Sequence, residues 1–127
     1  MYNRHTVHVN TLHCNFEFNS AELGEVAREV LAANAEILMR HLDVSVQIEG
    51  HSDRWGSDIY NLALGQRRAD SVFRYLTNYG VQAAQLKVIS YGEERPMVAE
   101  GNHSAEAPNR RAEFLVMAGA TSAASSY

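Results

Sequence analysis

A strand-like segment that runs through a polar turn into a helix constrains this chain more than any other feature. Residues 44–49 alternate between apolar and polar side chains, which predicts a β-strand from Val44 to Gly50. Asp53 follows in the turn, and Arg68 comes fifteen residues later on the predicted helix. The apolar residues of that helix recur at the spacing of one buried face: Ile59, Leu62, Ala63, Ala69, Val72, Phe73 and Leu76. A strand end and a helix that face each other across a short turn therefore carry opposite charges.

The position of Arg68 on the helix suggests a ligand site or an ion pair. At about 100° per residue from Leu62, Arg68 and Asn61 share one flank of the apolar stripe, at the margin between core and solvent. Arg67 falls on the opposite flank, near Asp70. A carboxylate opposite a guanidinium suits a ligand that carries both an ammonium and a carboxylate. A purely structural ion pair between Asp53 and Arg68 explains the same spacing, and both interpretations stay open.

The first part of the chain predicts a strand and a long helix. Loose alternation over residues 6–18 indicates a strand with its even positions inward, Cys14 among them. Ser20 is a plausible N-cap, with Glu22 in the first turn, where a carboxylate favours the helix dipole. The helix is predicted to run through residue 41 with an apolar stripe that covers the sheet: Leu23, Val26, Ala27, Val30, Leu31, Asn34, Ile37, Leu38 and His41.

The strand–helix–strand order predicts where a pocket could form. Such a unit favours a right-handed crossover between parallel strands, whose carboxyl ends meet at one edge of the sheet. Asn19 and Asp53 can approach each other there, and Arg68 adds a third chain segment. Crevices at this edge are the usual ligand sites of open α/β sheets.

The remaining elements complete a two-layer α/β (α+β) sandwich. Gly80 predicts the end of the second helix, residues 85–91 a third strand, and residues 111–117 a last strand. Residues 92–108 hold both prolines and predict a long loop, with room for a short helix. The predicted order is βαβαββ, with a mixed four-stranded sheet and two long helices on one face.

Length and net charge limit the number of domains and the kinds of partner that this chain can have. With 127 residues and a net charge of −4, the chain is predicted to form one domain over residues 1–118 and a flexible tail over residues 119–127. The negative charge argues against nucleic acid as a partner. No apolar run reaches the length of a membrane-spanning helix, and residues 1–11 do not resemble a secretory signal. A protein exported from the cytoplasm would need signal or anchor segments beyond this sequence.

The residues do not favour an enzyme, a metal centre or a bound cofactor. His51, Ser52 and Asp53 are the residue types of a catalytic triad, but three consecutive residues cannot form a hydrogen-bonded relay. His5, His8 and His13 do not have the spacing of metal ligands on a strand. The single cysteine, Cys14, is interpreted as a buried strand residue rather than a lipid-attachment site.

Three further features have open interpretations. Trp55 is either an aromatic wall of the pocket or an exposed loop residue. Arg110 or Arg111 could pin the last strand through Glu49 or Glu113. A charge network of residues 93–95 is expected to stabilise the loop after the third strand.

Several ordered motifs resemble the OmpA-like domain family, and within it the peptidoglycan-associated lipoproteins. They cover residues 14–117, nearly the whole chain, and comprise Phe16-Glu17-Phe18-Asn19, Gly50-His51-Ser52-Asp53, Gly56-Ser57, Tyr60-Asn61-Leu62-Ala63-Leu64, Arg67-Arg68-Ala69, Ser90-Tyr91-Gly92-Glu93-Glu94-Arg95-Pro96 and Asn109-Arg110-Arg111-Ala112-Glu113. The resemblance implies non-covalent binding of peptidoglycan through the meso-diaminopimelate residue of its stem peptide.

The resemblance also implies a role for particular residues. Asp53 and Arg68 correspond to the residues that hold the ammonium and the carboxylate of diaminopimelate, with Asn19 in support. The expected site further includes Asn61, Leu62, Asn109 and Arg110. The family implies a periplasmic domain associated with the outer membrane. An envelope module that docks a Tol-system or other envelope protein in the same groove is the alternative function.

Overall fold

The computed structural model describes residues 14–98 and 106–118, and it confirms the predicted two-layer architecture. The helices and strands are β1 (Cys14–Asn15), α1 (Glu25–Arg40), β2 (Ser45–His51), α2 (Asp58–Tyr79), β3 (Leu86–Gly92) and β4 (Arg111–Ala118). Short 3₁₀ turns at Ala83–Gln85 and Ala107–Asn109 precede β3 and β4. The sheet order is β1-β4-β2-β3, with β2 parallel to β3 and β4 antiparallel to both β1 and β2. β1, β2 and β3 therefore end at the same edge, as the crossover predicted.

The hydrophobic core lies between the helices and one face of β2. Val44, just before β2, and Val46 and Ile48 within it are at most 1% exposed. They pack in one cluster with residues of both helices, among them Leu31, Ala35 and Leu38 of α1 and Ala69, Val72 and Leu76 of α2. The even positions of β2 supply this face, which the alternation predicted.

The odd positions of β2 depart from the simple pattern. Gln47 and Glu49, the polar members of the alternation, are only 7% and 9% exposed. β2 is a central strand with β3 on one side and β4 on the other. Gln47 donates a hydrogen bond from Nε2 to Glu49 Oε2 over 3.1 Å, so these polar side chains are satisfied by each other under the cover of neighbouring strands.

Two glycines set the position of α2 on the sheet. A Cβ atom placed on Gly50 of β2 would lie 1.7 Å from the carbonyl oxygen of Gly65 on α2, so only hydrogen atoms fit between helix and strand here. This contact turns the face that contains Gly65 toward the sheet. The predicted stripe was wrong for the first two turns of the helix, where Ile59 and Leu62 are 83% and 51% exposed. The buried positions there are instead Asn61, Leu64, Gly65 and Arg68.

The start of α1 was predicted too early. The helix begins at Glu25 with Gly24 as its N-cap, and Ser20 instead accepts a hydrogen bond at Oγ from the Glu22 backbone N–H. Residues 20–24 stay outside the helix because α2 holds them, with Ser71 Oγ donating to the Ala21 carbonyl over 2.6 Å. Val26, near this end of the helix, is 72% exposed rather than in the core.

The first strand is shorter than predicted. β1 contains two residues, and the part of the prediction that covers residues 6–13 lies outside the described residues. Cys14 and Phe16 are buried at 3% and 4% exposure, as their register predicted, whereas Phe18 is 45% exposed. Phe18 leaves the strand pattern because residues 17–20 form a turn, closed by a hydrogen bond from the Ser20 N–H to the Glu17 carbonyl.

The helix α2 has a capping residue at each end, and the one at its C-terminal end, Gly80, was predicted from the sequence. Ser57 caps the helix by accepting a hydrogen bond at Oγ from the Tyr60 N–H, and Gly80 ends it with a φ of 131°, a value that glycine adopts without strain. Within residues 14–98 and 106–118 no helix is long and apolar enough to cross a membrane. The predicted tail over residues 119–127 and the histidines at positions 5, 8 and 13 lie outside the described residues.

The glycine contact predicts a large effect of one added methyl group. Gly50→Ala should lower the free energy of unfolding by about 3 kcal/mol, because the backbone of Gly65 must move away. Gly24→Ala is the matched control, since a Cβ atom there meets nothing within 4 Å, and we expect a loss of less than about 1 kcal/mol. Urea unfolding followed by circular dichroism measures both, and equal midpoints for the two variants would contradict the contact.

The burial of Cys14 predicts low thiol reactivity. Burial raises the pKa of the Cys14 thiol from 9.0 to about 11, so at pH 8 the reactive thiolate is roughly a hundredfold scarcer than in the unfolded chain. Labelling with a maleimide should therefore be slow for the folded protein and fast in denaturant. Similar rates in both conditions would show that Cys14 is accessible.

Candidate functional site

The carboxyl end of β2 carries three consecutive buried residues. His51, Ser52 and Asp53 are 1%, 2% and 2% exposed. The Ser52 N–H donates to the Gly92 carbonyl over 2.8 Å, which keeps the chain beside β3 after the strand proper has ended. Asp53 accepts a hydrogen bond at Oδ1 from the Trp55 N–H over 3.2 Å. The carboxylate is thus fixed at the sheet edge where the crossover predicted a pocket.

Arg68 of α2 lies fully inside the protein, so the predicted position at a solvent margin is wrong. Its guanidinium donates to three backbone carbonyls: Nε to Ser20, Nη1 to His51 and Nη2 to Glu17, over 2.8, 2.9 and 3.2 Å. The guanidinium also lies 5.2 Å from the centre of the Phe16 ring. These contacts join α2 to the end of β2 and to the turn after β1.

Burial makes the positive charge of Arg68 costly. Desolvation lowers the pKa of Arg68 to about 10, and the nearby charge of Asp53 opposes that shift only in part. The positive charge of Arg110 acts in the same direction as burial. Arg68 is therefore a cation that its surroundings have not fully neutralised.

The ion-pair partner of Asp53 is Arg110 rather than Arg68. Asp53 Oδ2 lies 3.4 Å from Arg110 Nη1, and both side chains are at least nine-tenths buried. Arg110 also donates from Nε to the Phe16 carbonyl over 2.9 Å. The sequence had suggested Glu49 or Glu113 as a partner of this pair of arginines, and the structure assigns Glu113 to Arg111.

Asp53, Arg68 and Arg110 form what we call the charged cluster. It contains two guanidinium groups and one carboxylate in a buried setting, an excess of one positive charge. Since buried charges are stable only when paired, the cluster favours a ligand that brings a carboxylate. Asp53 can at the same time accept from an ammonium, because each carboxylate oxygen has a second lone pair beyond the contact it already makes.

Asn61 lies on the same face of α2 as Arg68, about two helical turns earlier. It is 0% exposed and donates from Nδ2 to Glu93 Oε1 over 2.7 Å. Its Oδ1 atom is buried and accepts no hydrogen bond from the described residues. Leu62, although adjacent in sequence, points to a different surface with Ile59 and Glu93.

Asn19 and Asn109 take different roles. Asn19 is exposed with a φ of 57° in the turn whose Glu17 and Ser20 carbonyls bind Arg68. Asn109 is 2% exposed and accepts at Oδ1 from the N–H groups of Met97 and Val98 over 2.7 and 3.1 Å. Asn109 therefore holds the loop after β3, whereas Asn19 leaves its side chain open to solvent.

Trp55, whose role the sequence left open, is covered in part by the arginine that precedes it. The ring is half-buried, and the guanidinium of Arg54 stacks on it at 4.2 Å from the ring centre. Arg54 in turn forms an ion pair with Glu106, whose carboxylate is 2% exposed, over 2.8 Å. The sequence did not predict the contacts of Glu106 or of the carbonyls of residues 17 and 20. These contacts depend on the path of the backbone, which no pattern of residue types reveals.

The predicted charge network of residues 93–95 is replaced by contacts with other segments. Glu93 pairs with Asn61, and the guanidinium of Arg95 stacks 3.7 Å from the centre of the Tyr91 ring. The Arg95 carbonyl accepts a hydrogen bond from Arg111 Nη2 over 2.8 Å. These contacts fasten the loop to α2, β3 and β4 separately.

Comparison with known protein families identifies the family of this chain. The model of the OmpA family matches residues 15–110. The peptidoglycan-associated lipoprotein of Pasteurella multocida is 44% identical over 103 residues, which are 81% of this chain and 67% of that protein. That of Pseudomonas aeruginosa is 43% identical over 99 residues, 78% of this chain and 58% of that protein. The chain thus spans roughly three fifths of the length of these relatives.

Solved structures agree with the fold. The crystal structure of the peptidoglycan-associated lipoprotein from Burkholderia pseudomallei superposes with a TM-score of 0.80 at 34% identity, covering 83% of this chain and 89% of that one. The C-terminal domain of Helicobacter pylori MotB gives a TM-score of 0.77 at 23% identity, with 85% of each chain covered. At that identity the second likeness concerns the fold alone.

The carbonyl contacts of Arg68 predict a structural role besides any ligand contact. Arg68→Ala should lower the free energy of unfolding by about 3 kcal/mol or more, because one buried and two partly buried carbonyls lose this donor. Arg67→Ala is the neighbouring control. Arg67 is exposed and contacts only the ring of Tyr60, at 5.8 Å among the described residues, so its loss should cost less than about 1 kcal/mol. Chemical denaturation measures both, and equal stability losses would contradict the role of Arg68.

Proposed function

The chain belongs to the OmpA family, and on that premise we propose that it binds peptidoglycan non-covalently through the meso-diaminopimelate residue of the stem peptide. The observation that carries this proposal is the charged cluster, with its buried excess of one positive charge. The side-chain end of diaminopimelate carries an ammonium and a carboxylate on one carbon. The carboxylate of this ligand can pair with the arginines of the cluster, and its ammonium can pair with Asp53.

The hydrogen-bonding capacity of the cluster matches this ligand. Arg68 uses three of its five N–H groups on carbonyls in the described part of the chain, which leaves one on each terminal nitrogen for a carboxylate. Asp53 retains acceptor capacity on both oxygens for the ammonium. The free Oδ1 atom of Asn61 is a second acceptor on the same helix face.

The proposed roles of the other residues follow from their burial. Asn19, exposed on the turn that binds Arg68, adds a contact to the peptide, and Arg110 adds positive charge beside Asp53. Asn109 acts by positioning the loop of residues 97–98. Leu62, which faces a different surface together with Ile59, is left out of the proposed ligand contacts.

The excess positive charge would also let the site distinguish diaminopimelate from lysine. Lysine, which replaces diaminopimelate in other cell walls, has the ammonium without the carboxylate. The ammonium of lysine would pair with Asp53, but the charge of Arg68 would have no carboxylate to bind. We therefore expect lysine to bind with lower affinity.

The chain acts as a binding module rather than an enzyme. Ser52 Oγ donates to the Asp53 carbonyl over 2.8 Å, and His51 Nε2 lies 3.5 Å from Glu49 Oε1, so these residues do not form a nucleophile and base pair. Its proposed setting is the periplasm, with the domain tethering the outer membrane or an envelope complex to the cell wall. A Tol-system protein is the proposed alternative ligand of this site, but a small, buried and charged cluster suits a single amino-acid side chain better than a protein surface.

The proposal predicts selective retention on isolated cell walls. Sacculi with diaminopimelate should retain the domain, and sacculi of the lysine type should retain it much less, as measured by co-sedimentation. A soluble diaminopimelate tripeptide should compete for binding, whereas its lysine analogue should not. Equal retention on both wall types would rule out the proposed recognition.

Substitutions that preserve side-chain size test whether Asp53 and Arg68 contact the ligand. Asp53→Asn and Arg68→Lys keep side chains of similar size, and each should weaken tripeptide binding by on the order of 2–5 kcal/mol. Arg67→Ala is the control and should bind like the parent protein. Thermal unfolding must first show that each variant is folded. Parent-like affinity of a folded Arg68→Lys or Asp53→Asn variant would contradict the assignment.

A further inference from the structure

Two large apolar side chains on α2 face solvent beside the end of β3. Ile59 is 83% exposed and Leu62 is 51% exposed, one helical turn apart on the same side. They line a groove of about 400 Å³ together with Tyr91 and Gly92 from the end of β3. We call this the α2–β3 groove. Adjacent exposed apolar residues in a concavity are typical of a docking surface rather than of ordinary protein surface.

The floor of the groove is held by close backbone contact. Gly92 has a φ of 55°, and a Cβ atom there would lie 3.2 Å from the backbone of Leu62. The end of β3 and the second turn of α2 therefore touch directly. Since Ser52 also donates to the Gly92 carbonyl, the groove is a fixed part of the fold.

The rim of the groove is acidic. Asp58, Glu93 and Glu94 contribute three carboxylates around the apolar floor. Glu93 is fixed by the hydrogen bond from Asn61, over 2.7 Å. Arg95, the nearest cation in sequence, stacks on the Tyr91 ring and does not line the groove. The surface thus combines an apolar floor with a negative rim.

We propose that the α2–β3 groove docks a segment of another protein that presents an apolar side chain flanked by lysine or arginine. Charge complementarity selects this occupant, because a cationic flank meets three carboxylates while an acidic one is repelled. A second copy of this chain is a poorer fit, since its net charge is −4. The proposal is independent of peptidoglycan binding, which uses the positively charged cluster.

End-blocked hexapeptides test the proposal directly. One contains two leucines flanked by lysines, a second has glutamate in place of lysine, and a third has serine in place of leucine. Titration into ¹⁵N-labelled protein should give saturable shifts for the first peptide at Ile59, Leu62 and Glu94. Salt should weaken this binding, because the charges are exposed. Equal binding of the glutamate peptide, or shifts that avoid the groove, would overturn the proposal.

Surface variants separate this groove from other sites. Ile59→Ser and Glu94→Gln should weaken binding of the lysine–leucine peptide, the former by about tenfold, which is about 1.4 kcal/mol. Val26→Ser is the control, because Val26 is 72% exposed on α1 and should not affect the peptide. A concentration-dependent dimer that Ile59→Ser abolishes would overturn the proposal in favour of self-association. Ile59→Ser should retain binding to sacculi, so failure of the parent protein to bind sacculi would refute only the proposed peptidoglycan function.

Discussion

The burial of Arg68 is the interaction on which the rest of the structure depends. One guanidinium on α2 donates to carbonyls of the turn after β1 and of the end of β2, segments that are 31 or more positions apart along the chain. It donates to one buried and two partly buried backbone carbonyls where these segments meet. The cost is a desolvated positive charge, visible in the lowered pKa of Arg68. A ligand carboxylate would offset that cost, so the same residue links the fold to the proposed function.

The contact between Gly50 and Gly65 makes this arrangement possible. With hydrogen atoms alone between strand and helix, α2 presents its Gly65 face to the sheet, and Asn61 and Arg68 lie on that face. Ile59 and Leu62 are turned outward by the same rotation. Two glycines thus determine which α2 side chains form the charged cluster and which form the α2–β3 groove. A larger residue at either position would disturb both surfaces.

Much of the fold could be predicted, and the limits are physical. Strand alternation identifies β2 and Gly80 identifies the end of α2, and the crossover rule correctly placed the ends of β1 and β2 at one edge. The rotation of α2 could not be predicted, because counting apolar residues gives weight to Leu62 and none to Gly65. The pairing of Asp53 with Arg110 depends on how residues 106–110 return to β4, and the acceptors of Arg68 are backbone atoms, which no side-chain pattern reveals.

The charge distribution shows how such a chain can bind an anionic polymer. Its net charge of −4 opposes long-range attraction to carboxylate-rich material. At physiological ionic strength, however, that repulsion is screened beyond about 8 Å. The excess positive charge of the cluster is buried, where screening is weak and hydrogen-bond geometry is fixed. The cluster must therefore recognise its ligand by direct contact with the end of one ligand side chain. The acidic α2–β3 groove has Glu93, the hydrogen-bond partner of Asn61, on its rim. Surfaces of opposite sign can therefore select different partners within one small domain.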